Sequence, residues 1–236
     1  MSLRLCSLRL CMSLRRLTSR RTLKRFRADR RGIAIVEFAL IVPVMIILSA
    51  VTFDLVRYII MMRKVELAAS TLADLVARND TGSITQTDIL AISRAQLVMF
   101  PEAMKAAREQ NVSVWTLLKW SLSGVQFRTL PLGCTTTCTF VPRVTWTSGQ
   151  GRSCTDVLVA APNTAGPSPA TLPNDTFGPG FLVVADVVFD YKPLIAQSVV
   201  GSVRIAKSFY LSPRYVAGIA FDPSGGTTTA RACPAS

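Results

Sequence analysis

The chain has no histidine among its 236 residues, and its 14 acidic residues are outnumbered by 27 basic ones. Histidine is the commonest general base and a common metal ligand. A hydrolase would have to use carboxylates, lysine or tyrosine instead. The sequence contains no recognisable nucleophile–base pair, glycine-rich phosphate loop, metal-ligand spacing or Cys-x-x-Cys redox motif. These absences predict a protein that is not an enzyme and has no metal, cofactor or small-molecule substrate.

Positive charge is concentrated at the N-terminus. Residues 1–32 contain eleven basic residues and one acid, Asp29, so they carry +10 of the formal net charge of +13. A basic tail can bind nucleic acid through phosphates. Basic residues beside an apolar run, however, hold that flank on the cytoplasmic side of a membrane. Because the tail abuts such a run, we expect a basic cytoplasmic leader over 1–32 and no nucleic-acid partner.

The apolar run, residues 33–53, contains a single ionisable residue, Glu37. A helix of ~20 residues crosses a hydrocarbon core of ~30 Å, and the run is too long for the ~7–15-residue apolar region of a secretory signal. We therefore expect one pass through a membrane, with the N-terminus in the cytoplasm and the residues after about Asp54 outside. Pro43 lies within the run and predicts a helix kink, which is either harmless or functional.

Past the run, apolar residues recur at three- and four-residue steps, which predicts an amphipathic continuation of the same helix. The stripe comprises Leu55, Ile59, Met62, Val65, Ala69, Leu72 and Val76. We expect one helix over about 33–78, ended by the turn-forming residues 79–82. Ser83 and Gln86 have capping-box spacing, which predicts a second helix after residue 82. Pro101 interrupts that helix, and residues 102–109 add further turns.

From residue 111, runs typical of β-strands replace the helical periodicity. The candidate strands are 112–120, 125–130, 140–147, 181–191 and 203–211. The proline-broken span 155–180 predicts a loop around one short strand, 157–161. We predict an α+β fold in which a long N-terminal helix packs on a small antiparallel sheet, with a helical segment over 54–110 and a β-rich domain over 111–236. The three tryptophans, Trp115, Trp120 and Trp146, are expected to pack in the core or on the sheet.

Four cysteines lie in the β-rich half: Cys134, Cys138, Cys154 and Cys233. Outside the inner membrane the compartment is oxidising, so an even count predicts two disulfides, with three possible pairings. Zinc is disfavoured because Cys154 and Cys233 form no second close pair. We expect one bridge within the 134–154 region and another that holds the C-terminal tail through Cys233.

By spacing alone, Glu37 has two interpretations. The carboxylate could reach back to the cytoplasmic interface or pair with a leader arginine. Alternatively, it has a role that depends on Gly32, which precedes it by five residues and lets a protease approach the backbone closely.

The stretch from Gly32 to Phe38, GIAIVEF, resembles the processing site of type IV-pilin-like proteins. In those proteins a prepilin peptidase cuts after the glycine, and the fifth residue of the mature chain is glutamate; an aromatic residue follows it in the Flp/Tad branch. The resemblance implies cleavage between Gly32 and Ile33. It also implies that Glu37 neutralises the new ammonium of Ile33 on a neighbouring subunit, because a buried charge persists only when it is paired.

Residues 30–78 resemble the TadE-like proteins of the tight-adherence pilus system in their leader, their proline within the apolar run and the short exit FDLVR. Two C-terminal stretches, FDYKPLI (189–195) and FYLSPRY (209–215), are similar to the ends of that family. The resemblance implies a pilus component, with the prepilin peptidase and other pilin-like and pilus-assembly subunits as partners. An uncleaved, single-pass assembly factor is the alternative. The leader is long and internally repetitive, which indicates extra coding upstream of a start at Met12 and leaves Cys6 and Cys11 without an assigned role.

Overall fold

The computed structural model of this chain describes residues 31–131, 134, 138–226 and 229–234. Residues 1–30 of the predicted leader, with Met12, Cys6 and Cys11, lie outside the described residues. The chain divides between Phe53 and Asp54 into two units, and the second unit, Asp54–Ser236, contains the sheet.

The first helix, α1, extends from Arg31 to Ala77, as the apolar run and the stripe after it predict. The turn-forming residues after it end the helix. The side chain of Asn79 donates to the carbonyl of Ser83 (2.8 Å) and accepts from the N–H of Gly82 (2.9 Å). Gly82 has a φ of 73°, a backbone conformation that glycine adopts without strain.

Three shorter helices follow: α2 (Gln86–Met99), α3 (Pro101–Gln110) and α4 (Val114–Leu117). The capping box of α2 is formed by Thr85 and Asp88. The Thr85 hydroxyl accepts from the Asp88 N–H (3.2 Å), and the Asp88 carboxylate accepts from the Thr85 N–H (3.0 Å). The predicted capping pair, Ser83 with Gln86, is wrong because Ser83–Thr85 form a strand.

The nine strands of the described residues form three sheets. The five-stranded sheet has the order β7-β6-β2-β3-β9 and is antiparallel throughout. Two parallel pairs, β1 with β8 and β4 with β5, lie outside it. The strands are β1 (Ser83–Thr85), β2 (Leu118–Leu130), β3 (Thr139–Gly149), β4 (Val159–Ala161), β5 (Thr171–Pro173), β6 (Gly180–Tyr191), β7 (Val203–Leu211), β8 (Ala220–Asp222) and β9 (Ala230–Ala232). A four-residue helix, α5 (Gln197–Val200), connects β6 to β7. The antiparallel sheet and the long helix confirm the predicted α+β class.

The predicted strand over 112–120 is wrong in its first half. Asn111 has a φ of 52° and ends α3, and α4 occupies the following residues. Valine and tryptophan favour strands locally. Here, however, the segment forms a helical turn in which Leu117 is buried and Val114 packs against the first core cluster. Strand β2 begins only at Leu118 and also contains the predicted strand over 125–130.

Successive side chains of the central strands alternate between two core clusters, as strand geometry requires. On one face, Leu118 and Leu122 of β2 pack with residues of the second half of α1. On the other face, Val125 and Phe127 pack with Leu172 of the loop between β3 and β6. The sheet is therefore covered by helices on one face and by this loop on part of the other.

The residues of the α1 stripe differ in burial. Val65, Ala69, Leu72 and Val76 are at most 1% exposed and belong to the first core cluster. Met62 is partly buried against the same cluster. The first two stripe residues are exposed instead: Leu55 is 55% exposed and Ile59 is 44% exposed.

Candidate functional site

The first unit presents an apolar helix surface. From residue 35 to Phe53, all side chains are exposed except those of Val42 and Ala50, which are partly exposed. Ile35 and Phe38 are 71% and 69% exposed. Among the described residues, one helix is long and apolar enough to cross a membrane, with a mean hydropathy of 2.5. This finding supports a single-pass membrane protein.

The residues of the predicted processing site lie at the start of α1. Gly32 and Ile33 are in its first turn, and Glu37 follows one turn later. The side chains of Glu37 and Phe38 are exposed. Within the part of the chain that the structure describes, the Glu37 carboxylate has no hydrogen-bond or ion-pair partner, so it is accessible to a group from another molecule.

Two hydroxyl groups of the apolar run form hydrogen bonds within the helix. The hydroxyl of Ser49 donates to the carbonyl of Met45 (2.7 Å), and that of Thr52 donates to the carbonyl of Leu48 (2.8 Å). These bonds lower the cost of placing hydroxyls in an apolar environment. Pro43 lies inside α1 and has no N–H, so it removes one hydrogen bond of the ladder.

Directly after the apolar run, Asp54 binds the loop between β6 and β7. Its carboxylate accepts from the backbone N–H groups of Leu194 (3.1 Å), Ile195 (3.0 Å) and Ala196 (2.7 Å). Asp54 is 7% exposed. The Ala196 N–H, together with the other two, holds the pKa of this carboxyl below its ordinary value, against the opposing effect of burial. We call Asp54 and these three N–H groups the exit anchor.

Further polar contacts attach the second half of α1 to the rest of its unit. Asp74 pairs with Arg214, whose backbone N–H also donates to the carbonyl of Ala77 (3.0 Å). Lys64 pairs with Glu102 of α3. The two stretches that resemble the family ends therefore both contact α1: one through the exit anchor and the other through Arg214.

The four cysteines form two disulfides. Cys134 is bonded to Cys138, and Cys154 is bonded to Cys233. The second bridge attaches the C-terminal tail to the loop that follows β3. The backbone N–H of Cys233 also donates to the carbonyl of Thr145 on β3 (2.7 Å), so the tail is held both covalently and by the sheet edge.

Arg152 anchors the loop that covers the second core cluster. Its side chain is fully buried and donates to the carbonyls of Ser168 (2.9 Å), Pro169 (3.1 Å) and Thr171 (2.7 Å). It also pairs with Asp186 of β6 at 3.3 Å. A buried charge is tolerated when it is paired in this way. Sequence reasoning missed this residue because its partners are backbone carbonyls distant in sequence.

The tryptophans differ in their surroundings. Trp146 is fully buried, and its indole N–H donates to the carbonyl of Ile219 (2.8 Å). Trp120 is partly buried against the first core cluster, while Trp115 lies on α4 and is 38% exposed. Core packing is thus found for Trp146 and Trp120, whereas Trp115 does not lie on a strand.

An open cavity of about 430 Å³ lies between residues of β2, β6 and β7 and the loop after β3, which contributes Pro167, Ser168 and Pro169. Its lining includes Lys119 and Lys207, which pair with Asp190 (3.6 Å) and Glu66 (3.9 Å). None of the predicted site residues lines this cavity. No group of three candidate metal ligands occurs in the described parts of the chain.

Sequence reasoning also missed the exit anchor. The signals were present separately: an acid directly after the apolar run and the stretch FDYKPLI, 140 residues further on. The bond between them required the tertiary structure, because the helix and the loop after β6 meet only when the helix packs on the sheet.

Comparison with known proteins identifies one part of the chain. Residues 32–74 match the family model of the TadE-like protein. No curated protein and no solved structure matches the chain. The matched residues include Glu37 and Pro43 as well as Asp54, which binds the loop after β6, and Asp74, which pairs with Arg214. Residues 32–74 of this chain therefore form a TadE-like segment.

Proposed function

We propose that this chain is a structural or assembly component of a tight-adherence (Flp-type) pilus. A prepilin peptidase cleaves it after Gly32, and the mature chain enters or primes the filament. Its N-terminus lies in the cytoplasm, the run over 33–53 spans the inner membrane, and the unit Asp54–Ser236 lies in the periplasm. The TadE-like segment supports the involvement in pilus assembly.

One observation carries the proposal: the GIAIVEF stretch lies at the start of an apolar helix whose side chains remain exposed. Such a surface needs lipid or other apolar helices to cover it. The continuation of the same helix beyond Phe53 is bonded to the loop after β6 through the exit anchor. A subunit that moves from the membrane into a filament needs both properties, an apolar packing surface and a fixed connection to its outer domain.

Glu37 is the residue with an assembly role. Cleavage after Gly32 creates an ammonium group on Ile33 at a position without water inside a filament. The Glu37 carboxylate of a neighbouring subunit neutralises that charge, because two unlike charges that are removed from water together cost far less than either alone. No described residue of the same chain occupies this carboxylate, which is consistent with an intermolecular role.

The mature N-terminus is the direct test of processing. Intact-mass analysis and N-terminal sequencing of the membrane-extracted protein should find Ile33 first. That product should disappear in cells without the prepilin peptidase. A chain that begins at Met1 or Met12 in cells with the active peptidase would contradict the cleavage step.

A second test concerns the charge pair. Glu37→Ala should still be cleaved but should be absent from sheared pili, because the ammonium of the mature chain lacks its partner. Glu66→Ala is the matched control on the same helix, since Glu66 pairs with Arg63 and Lys207 outside the apolar run. Normal piliation by the Glu37→Ala variant would refute the pairing role.

The alternative is an uncleaved, single-pass assembly factor, in which α1 is an anchor and the outer unit binds pilus subunits. The attachment of the helix to the outer unit at Asp54 and Asp74 suits this function too. Shearing of cells separates the two functions. A filament subunit is recovered with the pili, whereas an anchor stays entirely with the membrane fraction.

A further inference from the structure

The connection between β6 and β7 exposes an unusual amount of apolar surface. Within seven residues, Leu194 is 64% exposed, Ile195 51%, Val199 87% and Val200 57%. Neighbouring exposed apolar side chains of this kind mark a surface that contacts another molecule or a membrane. We call residues 193–200 the apolar loop.

The exit anchor holds this loop beside Asp54, the first residue after the apolar run. Three consecutive backbone N–H groups of the loop bind the carboxylate of Asp54, and Asp54 is covalently joined to Phe53, the last residue of the apolar run. The loop therefore lies within hydrogen-bonding distance of the first residue after the run. If the run crosses a membrane, the loop is at the surface of that membrane.

The surroundings of the loop match a lipid surface in both polarity and charge. Lys192 and Arg204 flank it and are exposed, and the chain contains no acidic residue between Asp190 and Asp222. Apolar side chains with flanking cations are typical of segments that lie in the interface, where the cations reach lipid phosphates. An acidic protein surface would also attract the cations, but it would leave the four apolar side chains without a matching environment.

The second half of α1 contributes to the same region. Leu55, Val56, Ile59 and Ile60 are between 44% and 55% exposed. Tyr58, on the same part of the helix, packs on Tyr191, which directly precedes Lys192; their ring centroids are 6.1 Å apart. The exposed apolar residues of the helix and those of the loop thus belong to the same end of the outer unit.

We propose that the apolar loop inserts its side chains into the interfacial layer of the membrane from which α1 emerges. The exit anchor holds the loop to Asp54, so the loop adds a lipid contact at this end of the outer unit. The inference rests on the proposed membrane span, and it adds a second lipid contact beyond that span. The partner is a phospholipid bilayer; a protein partner is the competing occupant.

Tryptophan quenching by brominated lipids tests the proposal in the full-length protein. The chain is reconstituted into vesicles of phosphatidylcholine and phosphatidylglycerol whose acyl chains carry bromine close to the headgroup. Val199→Trp places a tryptophan at the most exposed of the four apolar residues of the loop. The emission of the parent protein, which has three tryptophans, is subtracted as background. We expect a loss of the added emission. Leu194→Trp repeats the measurement at a second position of the loop.

Two control variants make the outcome specific. Val157→Trp is the matched valine control: Val157 is 70% exposed but lies in the loop between β3 and β6, so its tryptophan should keep its emission. Ile46→Trp lies in the apolar run and should be quenched by lipids brominated deep in the acyl chain. If neither loop variant is quenched more than Val157→Trp, the loop does not contact lipid, and a protein is its partner instead. Absence of deep quenching in Ile46→Trp would instead refute the membrane span of the proposed function.

Discussion

The two disulfides should differ sharply in their effect on stability, because they close loops of very different length. Cys154 and Cys233 are 79 residues apart, whereas Cys134 and Cys138 are 4 apart. In the chain-entropy treatment, a cross-link lowers the entropy of the unfolded chain by an amount that grows with the logarithm of loop length, about 4.5 kcal/mol for the long loop and about 1.9 kcal/mol for the short one. Replacing Cys154 and Cys233 by alanine should therefore destabilise the protein more.

The structure adds a second reason for the difference. The long bridge holds a tail whose strand β9 pairs with β3 at three positions, from Trp146–Ala232 to Ser148–Ala230. Such a short edge strand gains little from pairing alone. Loss of the bridge should thus release the tail as well as increase the entropy of the unfolded chain.

The assay is chemical unfolding of the full-length protein in detergent, followed by tryptophan fluorescence. Trp146 is a suitable reporter because it is fully buried and pairs with Ala232 of the tail strand. We expect the variant without Cys154 and Cys233 to lose about 4–5 kcal/mol of unfolding free energy, and the matched variant without Cys134 and Cys138 to lose about 2 kcal/mol or less. Equal losses, or a loss below about 1 kcal/mol for the long bridge, would refute the reasoning.

Two further predictions concern buried polar groups of the outer unit. Arg152→Met should lower the unfolding free energy by about 3–5 kcal/mol, because three carbonyls lose this donor and Asp186 loses its cation, keeping only the hydroxyls of Ser121 and Ser208. Arg231→Met, at an exposed arginine, should change the unfolding free energy by less than about 0.5 kcal/mol. Similar losses in the two variants by denaturant titration would contradict the anchoring role. Asp54→Asn should destabilise the protein at neutral pH. A carboxyl whose pKa is lowered in the folded state stabilises the fold above its ordinary pKa of 3.8, and this contribution is lost once the carboxyl is protonated. The difference in stability between the variant and the parent should therefore shrink as the pH falls below 3.8. A difference that is independent of pH between 7 and 3, measured by thermal unfolding, would refute the role of the Asp54 charge.

The strands show how far local pattern predicts this fold. The runs over 140–147, 181–191 and 203–211 were predicted to within two residues of β3, β6 and β7, because alternation and β-branched residues mark strands that are buried on at least one face. The segment 112–120 failed because its composition favours a strand, yet burial of Leu117 is achieved through a helical turn. Residues 83–85 failed for a related reason: β1 pairs with β8, which lies more than 130 residues further on.

The candidate site also contains residues that the sequence pointed to and contacts that it did not. Spacing and resemblance together predict a processing site in the stretch from Gly32 to Phe38, because the pattern lies in consecutive residues. The exit anchor could not be predicted, since an aspartate after an apolar run has no recognisable partner until the loop after β6 is placed beside it. Nor could periodicity distinguish Leu55 from Val65, because it identifies an apolar face of the helix and not the element that covers it.

By itself, the sequence determined the apolar run, the basic flank, the α+β class and the even number of cysteines in the outer half. These properties depend on residue type and on short spacings, which act along the chain. Only the tertiary structure decided that Cys154 pairs with Cys233, that Arg152 holds the loop over the second core cluster, and that Asp54 binds the apolar loop. Each of these contacts joins residues that are distant in sequence, so each forms only once the sheet and its helices have packed.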